Sequence, residues 1–184
     1  MPTIFLVRHA ESEKNALHIV SHDHTIPYHL TARGKEQARN ARDELKDVTF
    51  PRAIASRYPR TQETARIILD TREIPIEIDE RLDEIDNGEL EGQPLETYRA
   101  RIDDRTIQAP PGGETWEQLK ARMGAFLRDA QALEGNLLVV SHGHPLSVLR
   151  GLIEGKDDHW MEHVIPPVCA VFRYDLPTTG RLNH

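Results

Sequence analysis

With one cysteine, Cys169, the chain can form no intramolecular disulfide, and the oxidising compartments in which disulfide scaffolds live have no claim on it. That cysteine lies in the apolar stretch 168–172, where a buried structural thiol is the expected reading. No run approaches the ~20 apolar residues of a membrane span, and the amino terminus lacks the basic-then-apolar order of a signal peptide. Positive charge is also in deficit. Against 30 Asp and Glu there are 23 Lys and Arg, a formal net charge of −7, which argues against a nucleic-acid surface while leaving room for a locally cationic pocket. Internal repeats, low-complexity tracts and interdomain linkers are missing as well. The expectation is a single domain over residues 1–184, cytoplasmic, with neither nucleic acid nor membrane as partner.

What is present is an alternation of strand and helix patterns. Short apolar runs at 3–7, 52–56, 76–78 and 137–141 read as buried strands, separated by stretches of helical period. The clearest helix covers 115–133, with Trp116, Leu119, Met123, Phe126, Leu127, Ala130 and Leu133 on one face, a capping box at Thr115 and Gln118, and Gly135 as its stop. Another follows Thr31 and buries Ala38, Ala41 and Leu45. A third follows Pro145, turns Leu146, Leu149, Leu152 and Ile153 inward and ends at Gly155. Residues 169–176 read as a last strand at a sheet edge, and 86–113 as the loop-rich region. This pattern predicts an α/β fold, a three-layer αβα sandwich around a mostly parallel sheet.

Chemistry-bearing residues stand at the strand ends. Arg8-His9-Ala10-Glu11 follows the first run, Ser141-His142-Gly143 follows the fourth, and Ser56 closes the second with Arg60 opening the helix beyond it. Open parallel sheets hold their ligands beyond the carboxyl ends of the strands, so both imidazoles are expected in one crevice. Two guanidinium groups beside two histidines form a cradle for a tetrahedral dianion. Helix starts after Pro59 and Gly143 add N–H donors and a favourable dipole. Phosphate is the expected guest.

The ordered set of motifs resembles the histidine phosphatase superfamily, which contains cofactor-dependent phosphoglycerate mutases and small bacterial phosphomonoesterases. Arg8-His9-x-Glu11 with Asn15, Leu30-Thr31-x-x-Gly34, Ser56-x-x-x-Arg60-x-x-x-Thr64-Ala65, Leu82-x-Glu84-x-x-x-Gly88-x-x-Glu91-Gly92 and Ser141-His142-Gly143 carry the resemblance across most of the chain. It implies a phosphoglycerate mutase-like fold and a reaction without metal or cofactor. His9 is then the nucleophile that forms a phosphohistidine. Arg8, Arg60 and His142 stabilise the phosphoryl group, with His142 charged or an oriented donor when phosphate is bound. Glu84 is the proton donor. Asn15, Ser21 and the Gly143 backbone are expected to contact phosphate or substrate, and Glu11 to orient its neighbours.

The chain departs from that pattern in several places. Ala10 stands where glycine is usual, Arg57 where an acidic residue is common, and Glu63 where glutamine is common. The segment between Asn15 and Leu30 carries His18, His22, His24 and His29, whose spacing fits no standard zinc motif; they are expected as solvent-exposed loop residues. Residues 92–113 are short beside the basic insertion with which the mutases hold a second phosphate, and Arg99, Arg101 and Arg105 are offset by Glu96, Asp103 and Asp104. A hydrolase acting on a small phosphate ester is therefore favoured over a phosphoglycerate mutase, a protein phosphohistidine phosphatase or a phosphoprotein-binding module. Substrate identity stays open.

Overall fold

The computed structural model describes residues 1–101 and 109–177. Arg105, Asp103, Asp104 and the tail 178–184, expected as a disordered end, lie outside the described residues. Five strands, β1 (Thr3–Arg8), β2 (Arg52–Ala55), β3 (Ile76–Ile78), β4 (Asn136–Ser141) and β5 (Val171–Asp175), form one sheet in the order β3-β2-β4-β1-β5. Pairings of β1 with β4, β4 with β2 and β2 with β3 are parallel, and β5 runs antiparallel at the edge beside β1. The helices are α1 (Glu13–Ala16), α2 (Ala32–Glu44), α3 (Pro59–Leu69), α4 (Leu95–Arg101), α5 (Trp116–Gln131), α6 (Gly143–Glu154) and α7 (Asp158–His163). Among the described residues no helix is long and apolar enough to cross a membrane.

Burial explains why the central strands read as continuous apolar runs. Successive side chains of a strand point to opposite faces. Ile4 and Leu6 of β1, with Leu137 and Val139 of β4, meet Leu119, Met123 and Phe126 of α5 and Leu146 and Leu149 of α6. Phe5, Val7, Leu138 and Val140 face the other way, onto Ala41 of α2 and Ala65, Ile68 and Leu69 of α3. Both faces are covered, so neither alternate residue is free to be polar. The expected sandwich is the observed one. The expected capping box of α5 is present at Thr115 and Gln118, and Gly155 ends α6 in the left-handed region at φ 66°. Helix α6 begins at Gly143 with Pro145 in its first turn, and the loop-rich stretch 86–113 contains the short helix α4.

Chain order sets the position of the site. After β1 the chain crosses to β2 and continues outward to β3, then returns to insert β4 between β2 and β1. The direction of strand addition reverses beside β4, and the crevice at such a reversal is where an open parallel sheet accepts a ligand.

One motif residue has a steric reason. Gly34 lies in the first turn of α2, where Thr31 caps its N–H at 2.9 Å, and a Cβ there would sit 1.9 Å from the main-chain oxygen of Glu11. No side-chain rotation relieves a clash with backbone, so the contact of α2 with the loop after β1 requires glycine. Gly34→Ala is expected to cost at least about 2 kcal/mol and to lower Tm by roughly 4–8 °C, read by calorimetry. An unchanged melting temperature would show that α2 can retreat from the loop freely.

Candidate active site

Register brings the two sequence-distant histidines together. Arg8 pairs with Ser141 across β1 and β4, and the His9 N–H donates to the Ser141 carbonyl at 2.9 Å. The next residue on each chain is thereby carried off the same edge, and the rings of His9 and His142 stand 5.2 Å apart, inclined at 62°. Ser56 joins them from β2 through its N–H to the Val140 carbonyl, 3.3 Å.

The tautomer of His9 follows from its neighbour. Nδ1 lies 2.7 Å from the Ala10 carbonyl, which can only accept, so Nδ1 carries the hydrogen and Nε2 is the bare nitrogen. Nε2 is buried and has no hydrogen-bond partner. Burial, followed by the charges of Arg60, Arg8 and Lys14, pushes the pKa of His9 well below the usual histidine range. A neutral, oriented, unengaged imidazole nitrogen is what nucleophilic attack requires. The loop after it is fixed through the Ala10 N–H, which donates to Thr64 Oγ1 at 3.1 Å. Ala10 is itself fully buried, so its extra methyl relative to glycine is accommodated.

His142 is also held neutral. Arg60 Nη2 is 3.3 Å from its Nδ1, and because arginine only donates, Nδ1 accepts and Nε2–H donates to Ser56 Oγ at 2.8 Å. Burial and then Arg60 depress its pKa strongly, with Glu84 opposing. In this site the ring is neutral and its Nε2–H is committed to Ser56. Tyr58 packs edge-on against it at 4.5 Å, and the Arg60 guanidinium lies 4.2 Å from the Tyr58 ring centre.

Two buried guanidinium groups keep N–H groups in reserve. Arg60 is wholly buried. Its Nη2 also reaches the Ser21 carbonyl at 3.4 Å, yet Nε and Nη1 have no partner, nor has Nε of Arg8. Arg8 is anchored instead through Nη1 to the Pro166 carbonyl. Gly143 permits this placement: a Cβ there would lie 3.6 Å from Arg8 Cζ and 2.9 Å from Ile165. The hydroxyl of Ser21 is buried and unpartnered as well. Leaving buried charged donors unsatisfied is costly, and such a set, at the start of α3 and α6, matches a tetrahedral anion.

Glu84 sits at the wall of this pocket, held by a framework of its own. Asp83 forms an ion pair with Arg57, which also donates its main-chain N–H to it at 3.1 Å. Ser141 Oγ donates to the Leu82 carbonyl at 2.6 Å, and Arg122 Nη1 to that of Asp83 at 2.8 Å. Arg57, where the family commonly has an acid, thus secures the acid-bearing segment. Burial raises the pKa of Glu84, but His144 beside it at 3.7 Å and the positive charge of Lys14 outweigh burial and hold it well below the usual carboxylate range. As the site stands, Glu84 has no proton to give.

The structure brings His9, Arg8, Arg60, Glu84, His142, Ser21 and Gly143 together. Of these, Arg8, Glu84 and Gly143 line the adjoining pocket; Asn15 lines it as well, and its Oδ1 also caps α1 by accepting from the Ser12 N–H at 3.0 Å. Glu11 does not touch His9 and accepts instead from Thr31 Oγ1 at 2.8 Å. Three contributors went unmarked in the sequence: Tyr58, Lys14 and His144. Lys14 lines the pocket, and burial together with Arg60 and Arg8 lowers its pKa to about 8. The His142-x-His144 spacing at a helix start was the available signal for His144; Lys14 and Tyr58 carried none. The pocket of about 580 Å³ is completed by apolar Ile19, Val20, Leu95 and Ile165.

Two of the four loop histidines depart from the expectation of exposure. His18 and His29 are exposed, but His22 is sequestered between Asp86 and Glu91, and His24 is half-buried with its ring 6.2 Å from Tyr58. Glu63 pairs with His29 and accepts the Leu30 N–H at 3.0 Å. Among the described residues no group of three His, Cys, Asp or Glu side chains is arranged to hold a metal ion. Cys169 is half-buried, and burial raises its thiol to about 11, as expected for a structural cysteine.

Comparison with known proteins agrees with this geometry. The model of the histidine phosphatase superfamily (branch 1) matches residues 4–181. The probable phosphoglycerate mutase GpmB of Enterobacter sp. (strain 638) is 33% identical over 95% of this chain and 85% of its own. The adenosylcobalamin/alpha-ribazole phosphatase of Escherichia coli (strain K12) is 32% identical over 87% of this chain and 83% of its own. The crystal structure of the alpha-ribazole phosphatase from Shigella flexneri superposes with a TM-score of 0.84 at 30% identity, covering 95% of this chain and 91% of the other.

The depressed histidines have a measurable consequence. The unfolded chain binds protons at both positions below about pH 6.5, whereas folded His9 and His142 stay neutral. Their contribution to stability is therefore complete above pH 6.5 and is lost as pH falls toward the folded pKa values. Denaturant unfolding of wild type and His142→Asn between pH 7.5 and 5 is expected to diverge by up to about 1.4 kcal/mol per pH unit below 6.5, the variant losing less. Parallel curves would mean that His142 is protonated in the fold.

Proposed function

From the premise that this chain belongs to the histidine phosphatase superfamily and is a phosphatase of that kind, we propose that it is a metal-independent phosphomonoesterase acting on a small phosphorylated metabolite through a phosphohistidine on His9. The observation that carries the reading is the set of unengaged buried groups around one histidine pair: His9 Nε2, Arg8 Nε, Arg60 Nε and Nη1, and Ser21 Oγ. Each lacks a partner that a phosphate ester supplies.

In the proposed reaction Nε2 of His9 attacks phosphorus, the bond to the ester oxygen breaks opposite the attack, and the leaving alkoxide takes a proton from Glu84. Water then attacks the phosphohistidine, gives its proton to Glu84, and the P–N bond breaks to release inorganic phosphate and restore His9. Arg8 and Arg60 hold the equatorial oxygens throughout, the electrostatic role on which phosphoryl transfer chiefly depends. Glu84 acquires its proton with the substrate: a phosphate dianion beside an ionised carboxylate raises the carboxylate pKa, or a monoanionic ester brings the proton itself.

A mutase reading has the GpmB likeness in its favour. Against it, Arg101 turns to an ion pair with Glu89, which leaves Arg99 of the described arginines in 92–113 at the pocket.

Hydrolysis of p-nitrophenyl phosphate in EDTA tests the chemistry. Turnover insensitive to EDTA is expected, with a loss on the order of 10³-fold or more in His9→Ala. Absence of turnover above that variant would sink the hydrolase reading. Conversion of 3-phosphoglycerate dependent on 2,3-bisphosphoglycerate, without phosphate release, would establish the mutase, and phosphopeptide affinity without turnover the binding module.

A further inference from the structure

His22 belongs to no motif and to no step of the reaction, yet it is the most tightly enclosed of the loop histidines. Nε2 lies 3.0 Å from Asp86 Oδ1 and Nδ1 2.7 Å from Glu91 Oε2. Carboxylates only accept, and a neutral imidazole has one N–H, so carboxylate oxygens within 3.0 Å of both ring nitrogens favour the imidazolium. The Nδ1 approach is a charge contact; the aligned hydrogen bond to the same Glu91 oxygen comes from the His22 main-chain N–H at 2.6 Å. Asp23 adds a further negative charge from the same loop. Burial works against the charged form, but the carboxylates prevail and His22 is held above the ordinary histidine range.

The main chain at this point is a junction. The Ser21 carbonyl receives Arg60 Nη2 at 3.4 Å, and the His22 carbonyl receives the Tyr58 hydroxyl. Those two side chains flank His142. On the other side the loop is sewn to the acid-bearing segment through Val20 N–H to the Gln93 carbonyl, 2.9 Å, and Gly92 N–H to the Val20 carbonyl, 3.0 Å. Asp86 and Glu91 come from the segment that carries Glu84, Tyr58 and Arg60 from the start of α3, and Asp23 and His24 from the loop itself. The imidazolium is the charged link between these three parts.

We propose that His22, as an imidazolium clasped by Asp86 and Glu91, is a positioning residue that holds the Ser21–His22 backbone against Arg60 and Tyr58 and thereby makes anion capture at the phosphoryl pocket depend on pH. The phosphoryl assignment of that pocket rests on the function proposed above. Deprotonation of His22 leaves a lone pair facing a carboxylate, loosens the junction and frees Arg60 to wander. Because its folded pKa is raised, the clasp is complete below pH 6.5 and is lost as pH rises through that folded value.

Sulfate is the probe, since its charge is constant across the range. By calorimetry, His22→Gln is expected to bind sulfate on the order of ten-fold more weakly at pH 6.5, the scale on which residues that orient a binding group act. Wild-type affinity is expected to fall as pH rises above 6.5; in His22→Gln this limb disappears, leaving the one from Lys14 near 8. Glu91→Gln keeps an acceptor for the His22 N–H and removes only charge, so it is expected to move the limb to lower pH even if His22→Gln fails to fold. Nitrogen NMR of wild-type His22 should show both ring nitrogens protonated at pH 7. A single ring N–H, or unchanged sulfate affinity and pH dependence in His22→Gln, overturns the proposal, as does a wild type that binds no sulfate. Sulfate binding with this pH dependence but no p-nitrophenyl phosphate turnover upholds the clasp and overturns the hydrolase reading instead.

Discussion

The parallel pairing of β1 with β4 is the constraint on which the rest of the structure depends. Six residue pairs, from Thr3 with Asn136 to Arg8 with Ser141, fix where both strands stop. Because they stop together, His9 and His142, 133 positions apart in sequence, leave the sheet side by side. A shift of one residue would turn Ile4, Leu6, Leu137 and Val139 away from α5 and α6 and push the opposite set off α2 and α3. The hydrophobic pattern that stabilises the sheet is therefore the same device that places the imidazoles. Helices α3 and α6 begin immediately beyond β2 and β4, so their N-terminal dipoles arrive at that edge without further arrangement.

This edge gathers charge in a way that opposes folding. Arg60 is wholly buried and leaves two nitrogens unpartnered, Arg8 and Lys14 face it, and both histidines are denied their protons. None of that stabilises the fold; the apolar layers on either face of the sheet offset it. The arrangement makes sense as preorganisation. Donors already aimed at an anion need no reorientation when it arrives, and in a site shielded from water their effect on developing charge is largest.

The fold was legible because its main signals are local. Apolar runs, the Thr115 cap and the Gly155 stop depend on neighbours a few residues away, and all appear in the structure. The strand-end histidines and arginines were legible because parallel-sheet topology assigns strand ends a common edge. What escaped depends on contacts between distant segments. His22 reads as one of several loop histidines until Asp86 and Glu91 are seen around it, and Arg57 looks like a departure from the family until it is found holding Asp83. Lys14 carried no signal in the sequence: a lysine in a four-residue helix is ordinarily solvated, and its entry into the pocket follows from the capping of that helix by Asn15 and Ser12. Gly34 was visible as a motif letter, but its reason, the Glu11 carbonyl in the space of a side chain, belongs to three dimensions.

Glu84 shows most clearly how charge and mechanism bear on one another. A carboxylate this buried would ordinarily hold its proton, yet His144 and the Lys14 ammonium keep it ionised. In the proposed reaction that state is wrong for the first step and right for the second. The Lys14 ammonium that helps hold Glu84 ionised lines the same pocket and is a charge that a bound phosphate dianion neutralises, so substrate binding weakens the reason for the ionisation and adds a like charge beside the carboxylate. Once the alcohol has departed and water has entered, the phosphoryl charge is held by His9, Arg8 and Arg60, and Glu84 meets the water as a carboxylate. One residue can thus serve as acid and then as base because its pKa is governed by partners whose own charge is taken up by substrate, rather than by burial alone. That coupling needs the acid-bearing segment fixed against the histidine edge, which the Ser141 hydroxyl on the Leu82 carbonyl and the Arg57–Asp83 ion pair provide.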